Sequence, residues 1–171
     1  MYIGLTVTGP TDEISQFQET VRGRDENGKE VTIDFTRVIP IPEEVRNPFS
    51  AQIHIDDHHV TYSPSWCGRN WGAFSNALFA EVLEDSAGTF WVQFDTVGDF
   101  PDLVIEKLVE LFPQLTFDGS AFENVEKFYM TFEGRNGQFT VQEGNYTEAF
   151  GEEDHDEDDE SYSSEIWVAS S

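Results

Sequence analysis

The sequence predicts an α+β fold, an antiparallel sheet with two helices on one face, and three observations lead there. Segments that alternate strictly between apolar and polar residues, the mark of half-buried strands, recur from Ile3 to Val141. Two stretches with apolar residues at helical spacing interrupt them, at residues 10–22 and after Pro101. The 171 residues are 38% apolar, with 15 Phe, 4 Trp and 5 Tyr, more than chains that stay disordered carry.

Each element has its own warrant. Ile3, Leu5 and Val7 alternate with Gly4, Thr6 and Thr8, and Gly9-Pro10 ends that strand. Pro10 suits the first helical position, Asp12 and Glu13 complement the helix dipole, and Ile14, Phe17 and Val21 form one apolar stripe. A turn at Asp25-Glu26-Asn27-Gly28 leads into an expected strand through Val31, Ile33 and Phe35. Ile39-Pro40-Ile41-Pro42 enforces an extended segment. Gln52 to Tyr62 reads either as a strand or as a polar loop. Leu78–Leu83 and Phe90–Phe94 flank Asp85-Ser86-Ala87-Gly88 as a hairpin. Asp99 is the expected cap of a helix with Pro101 in its first turn, ending before Pro113. Leu115–Phe117, Phe128–Phe132 and Phe139–Val141 are further strands, the last two joined by a turn at Gly134-Arg135-Asn136-Gly137. Two strand–helix–strand units of this kind assemble most economically as a ferredoxin-like domain over residues 1–144, with an extra C-terminal hairpin. Residues 145–171 are the expected acidic tail with an apolar end.

Charge narrows the function. With 34 Asp and Glu against 9 Lys and Arg, the net charge is −25. Such a chain lacks the cationic face needed to grip nucleic acid or an anionic membrane, so neither is an expected partner. The tail holds ten acids and no base, leaving 24 acids against 9 bases, a charge of −15, on residues 1–144. Solubility requires a net charge of magnitude only about 2–8 in a small domain. The excess therefore calls for a basic partner. Lone Cys67 permits no internal disulfide, and the N-terminus shows neither a signal sequence nor a membrane span, so a cytoplasmic location is expected.

Four blocks carry a resemblance. Leu5-Thr6-Val7-Thr8-Gly9-Pro10, Asp34-Phe35-Thr36-Arg37-Val38-Ile39-Pro40-Ile41-Pro42-Glu43-Glu44, Asn70-Trp71-Gly72 with Asn76-Ala77, and Phe94-Asp95-Thr96 before a helix ending Phe112-Pro113-Gln114-Leu115 resemble the YubB-like family in the same order. The resemblance covers roughly residues 3–135 and implies a ferredoxin-like fold in a plasmid- or phage-borne protein. It implies no reaction.

Catalytic constellations are weak. His54, Asp56, Asp57, His58 and His59 offer metal-ligand chemistry, and His54 and His58 would share one side of a helix, but neither HExxH nor paired CxxC spacing occurs. A solvated loop is the plainer reading. Cys67 has only Arg69 nearby to activate it and is better read as a core residue. Trp66, Trp71 and Phe74 lack the cations of a base-stacking platform and read as a hydrophobic plug. No phosphate-cradling glycine loop is present, and the sequence implies no cofactor, metal or enzymatic activity.

The acids are more informative. Asp102, Glu106 and Glu110 fall at i, i+4 and i+8, one helical stripe with steps of about 6 Å. Asp95, Asp99 and Asp118 sit at nearby element ends, and Lys107 lies off the stripe. The resulting expectation is a non-enzymatic phage or plasmid protein that mimics nucleic acid. It would occupy the basic groove of a host nucleic-acid-binding protein or ribonucleoprotein complex, of anti-restriction or anti-CRISPR type. The alternative is an adaptor whose tail recruits a partner, through Glu152, Glu153, Asp154, Asp156, Glu157, Asp158, Asp159 and the terminal Trp167.

Overall fold

β1 (Tyr2–Thr8) organises the molecule because it is hydrogen-bonded on both sides and alternates perfectly: Ile3, Leu5 and Val7 are fully buried while Tyr2, Gly4, Thr6 and Thr8 face the other way. The computed structural model describes residues 1–25, 28–45, 53–55, 58–60 and 63–151, with Glu44 and the two three-residue segments described through their backbone alone.

α1 (Thr11–Val21) follows Gly9-Pro10 and buries Ile14, Phe17 and Val21. Two short strands, β2 (Gly23–Arg24) and β3 (Glu30–Val31), pair with each other. The strand expected through Val31, Ile33 and Phe35 stops there. Phe35–Arg37 forms a 3-10 turn instead, because the Asp34 carboxylate accepts the backbone N–H of Thr36 and caps it. β4 (Ile53–Ile55) and β5 (His58–Val60) make a small antiparallel hairpin. α2 (Pro64–Asn70) was not anticipated from the sequence.

β6 (Leu78–Ser86) and β7 (Thr89–Asp95) form the expected hairpin. α3 (Asp102–Leu111) then buries Val104, Ile105, Leu108 and Val109. Its cap is Pro101 with no side-chain hydrogen bond, so Asp99 does not cap it; the Asp99 carbonyl accepts the Thr96 hydroxyl and shapes the preceding loop. β8 (Thr116–Glu123), β9 (Phe128–Arg135) and β10 (Gln138–Glu143) complete the sheet. The β9–β10 turn uses Asn136 and Gly137, both at positive φ (53° and 74°), the geometry of a tight hairpin turn. α4 (Tyr146–Phe150) starts at Asn145, whose side chain accepts the N–H groups of Thr147 and Glu148. Tyr146 is buried and Phe150 packs on Phe122 and Tyr129, so the packed body continues to this helix.

The six strands β10-β9-β8-β1-β7-β6 lie in that order and every neighbouring pair is antiparallel. The core lies between one sheet face and the two long helices. Phe17 of α1 meets Phe90, Phe112 and Phe117 edge-on, and Phe100 packs against Phe132 and Phe139. Glycine lets the layers close. A Cβ at Gly134 would overlap Val109 of α3, and one at Gly119 would overlap the Phe132 ring and the Gly4 carbonyl. Gly119→Ala should therefore cost about 1–3 kcal/mol by overpacking. Gly4→Ala, which points a methyl into open space on the opposite face, should change stability by under about 0.5 kcal/mol. Urea unfolding of the two variants beside the wild type checks the contrast.

Candidate functional site

The acids expected to form one surface divide between two. Asp102, Glu106 and Glu110 are all exposed on the outer side of α3, as their spacing requires. Lys107, off the stripe by spacing, still reaches it: its Nζ is 2.9 Å from Glu110 Oε2. Asp102 uses one oxygen on the N–H of its neighbour Leu103, and Glu106 has no partner among the described residues. Just beyond α3 the Gln114 amide donates to Glu13 of α1 at 3.3 Å, and the C-cap residue Phe112 meets Phe17 of α1. Asp12 and Glu13 in the first turn of α1 thus extend the acidic helix layer.

Asp95 and Asp118 belong to the other face. Their neighbours Phe94 and Phe117 point into the core, so strand alternation sends both carboxylates to the side that the two long helices leave open. The cross-strand register places Glu84, Trp91, Thr6, Asp118 and Glu133 in one row, and Glu81, Gln93, Gly4, Ser120 and Thr131 in the next. Sequence reasoning missed Glu81, Glu84 and Glu133 here. Arg135 is the cation seen among them, pairing with Glu133 and lying 3.6 Å from Asp118. Trp91 is 42% exposed in the middle of the row. Asp99 joins neither surface; it lines a cleft with Met1, Glu123, Glu126 and Phe128 at one end of the sheet.

The carboxylates of the open face act on Tyr2. Tyr2 donates its hydroxyl to Gln93, which in turn donates to Glu81 at 2.9 Å. Burial first, and then the Asp95 and Glu81 carboxylates, push the Tyr2 phenol above its ordinary 10.0, because each disfavours the phenolate. A pKa raised on folding contributes stability below the ordinary value and loses it as pH climbs through the folded value.

Other residues singled out in the sequence have structural roles. Cys67 is fully buried and its thiol is pushed up to about 11, mainly by burial, which makes it a poor nucleophile. Trp71 is buried and its indole N–H donates to Ile39 O at 3.0 Å; Trp66 packs edge-on against it, while Phe74, 45% exposed, lays its ring over Gly68 and Gly98. His54 and His59 occupy paired positions on β4 and β5, and His58 lies on β5, so the helical pairing of His54 with His58 does not occur. Among the described residues no group of three His, Cys, Asp or Glu could hold a metal.

The conspicuous motifs converge on one structural knot. Asp34, 6% exposed, accepts from Thr36 N (2.9 Å), Thr36 Oγ1 (2.7 Å) and Asn76 Nδ2 (2.8 Å). The Asn76 Oδ1 accepts from Phe35 N and Ala77 N at 2.8 and 2.9 Å. Phe35 packs edge-on against Trp71 and Phe94. Gly72, at φ 87°, fits where any side chain would overlap the Asp102 carboxylate. Residues of two of the four motif blocks, together with Phe94 of a third, thereby have packing and hydrogen-bonding roles at one end of the sheet.

The tail residues Glu152, Glu153, Asp154, Asp156, Glu157, Asp158, Asp159 and Trp167 lie outside the described residues. Among the described residues no helix is long and apolar enough to cross a membrane. Comparison of the chain with protein-family models, curated proteins and solved structures finds no match.

Two outcomes are expected. Asn76→Ala strips two backbone N–H groups and the Asp34 carboxylate of partners, and should cost about 2–4 kcal/mol in denaturant unfolding, since each orphaned buried group costs about 1–3 kcal/mol. Asp95→Asn combined with Glu81→Gln should lower the Tyr2 titration, followed by the NMR shift of its ring carbon beside the hydroxyl, while leaving it above 10.0 because the burial contribution remains.

Proposed function

We propose that this protein acts by stoichiometric binding, presenting rigidly held carboxylates to the cationic groove of a nucleic-acid-handling protein in place of nucleic acid. The observation that carries the reading is how little of the body's charge is neutralised internally. Of the acids among the described residues, only Asp34 is buried. Ion pairs seen among those residues include Arg24 with Glu30, Lys107 with Glu110, and Arg135 with Asp118 and Glu133. Neighbouring unpaired like charges oppose folding, by a few tenths of a kcal/mol for each i, i+4 pair on a helix. Anchorage on α3 and on the sheet also removes most of the entropy that ordering flexible acids on a partner would cost. A negative field of this size would steer a basic partner to fast association.

The finer fold assignment belongs to the same proposal. The central strands β8-β1-β7-β6, with α1 and α3 as the crossovers, follow the 4-1-3-2 order of a ferredoxin-like domain, and β9 and β10 extend its edge. That order supports the resemblance to the YubB-like family. A mobile-element setting of the kind the family implies makes nucleases and guide-RNA complexes of host defence reasonable targets. Inhibition would follow from occupancy of the groove, with no bond made or broken.

Competition tests the reading. The full chain should displace duplex DNA from a basic nuclease or guide-RNA complex at low salt. Replacing Asp102, Glu106 and Glu110 by Asn, Gln and Gln should weaken that competition about tenfold or more, each lost charge contact contributing about 0.5–1 kcal/mol at an exposed site. Undiminished competition by the triple variant, or none by the wild type across a panel of such complexes, would count against it.

A further inference from the structure

Three of the chain's nine basic residues meet in one place. Arg22 caps the C-terminal end of α1, Arg24 lies on β2, and Arg37 ends the 3-10 turn that Asp34 caps. Together with Gly23, Glu19 and Glu30 they line a cleft of about 430 Å³. In a body with 24 acids to 9 bases, each arginine would be expected to find a carboxylate. Arg24 does: it bonds Glu30 at 3.2 Å and the Gly28 carbonyl at 3.0 Å. Arg22 and Arg37 do not. Neither guanidinium makes a hydrogen bond or ion pair with any described residue, although both are exposed on the same cleft.

Gly23 explains how the cleft holds its shape. A Cβ there would overlap the Asp34 carboxylate, so the β2 backbone lies directly against that buried side chain. Asp34 gives its Oδ1 to Thr36 and Asn76, neutral donors that orient the carboxylate and leave its charge in place beneath Gly23. The acidic remainder of the protein is a weaker objection than its net charge suggests. At physiological ionic strength exposed charges beyond about 8 Å are largely screened, so the local set decides. Among the described residues, with Glu30 bonded to Arg24, the guanidinium groups of Arg22 and Arg37 share the cleft with Glu19, and the Asp34 carboxylate lies behind Gly23.

From this we infer an anion site for a phosphate group, free or as a monoester, held by Arg22 and Arg37 with Arg24 completing the rim. Guanidinium groups offer planar forks of N–H donors that match phosphate oxygens two at a time. A tetrahedral phosphate presents oxygens in several directions and can engage arginines arriving from three different elements, whereas a planar carboxylate has only two oxygens to share. The inference is independent of the proposed function, which concerns surfaces of opposite sign.

The test uses the full chain with inorganic phosphate and phenyl phosphate, titrated at constant ionic strength with chloride as the balancing anion, while the arginine side-chain NMR signals are followed. Saturable shifts at Arg22 and Arg37 are expected, and Arg22→Gln with Arg37→Gln should weaken binding about tenfold or more. Lys29→Gln, a charge change outside the cleft, should leave it unchanged. Tighter binding of phenyl phosphate would identify a monoester as the natural source, and equal binding free phosphate. Shifts that chloride reproduces, a succinate titration that matches phosphate, or a double variant that binds like the wild type would each overturn the assignment. The circular dichroism spectrum and urea midpoint of the double variant confirm that any loss is not unfolding.

Discussion

Burial of Ile3, Leu5 and Val7 on one side of the central strand is the constraint from which the rest of the molecule follows. Because side chains alternate, fixing these three against the helices also fixes the opposite face, and hydrogen bonding carries that polarity across all six strands. The apolar members of β7, β8 and β9 turn inward under α1 and α3. Asp95, Asp118 and Glu133 then have only the other direction available. The acidic sheet face is a consequence of the core's register, and a one-residue slip of β1 would bury the wrong set.

The helix layer obeys a second periodicity. α3 turns four apolar side chains to the sheet, and the positions left over carry Asp102, Glu106 and Glu110 in a line. The protein therefore presents acid on both of its broad sides, and the places where cations appear are correspondingly distinct. Lys107 and Arg135 act locally inside acidic groups, whereas Arg22, Arg24 and Arg37 gather at the edge of the helix layer. Surface charge here has an organisation that net charge alone conceals.

Much of this was legible because it rests on short-range patterns. β1, α1, the β6–β7 hairpin, α3 and the last hairpin each announce themselves through a two-residue or helical period bounded by Gly, Pro or Asn. The failures have physical causes. The alternation of Val31, Ile33 and Phe35 mimics a strand, but Asp34 caps a 3-10 turn whose hold depends on Asn76, 42 residues away. Glu81 and Glu84 are an odd number of residues apart and would face opposite ways in a regular strand. They share the open face because β6 shifts register between Val82 and Glu84, an irregularity that the sequence does not signal. α4 carries a local signal, since Asn145 and Glu148 have capping-box spacing, but at five residues it is too short to show an apolar period. Asp95 and Asp118 border α3 in sequence, but strand alternation turns them to the opposite side of the sheet from the α3 stripe.

The account holds that the folded carboxylates of the body form the partner surface. Capture of partners from a cell lysate on the immobilised full chain, eluted by stepped salt and then challenged with duplex DNA, tests this most directly. The account predicts basic nucleic-acid-binding proteins that leave together as salt rises and that DNA displaces at low salt, because screening weakens exposed charge contacts first. Partners that resist high salt and ignore DNA, yet are lost on Trp167→Ala, would contradict it and assign recognition to the apolar end of the chain.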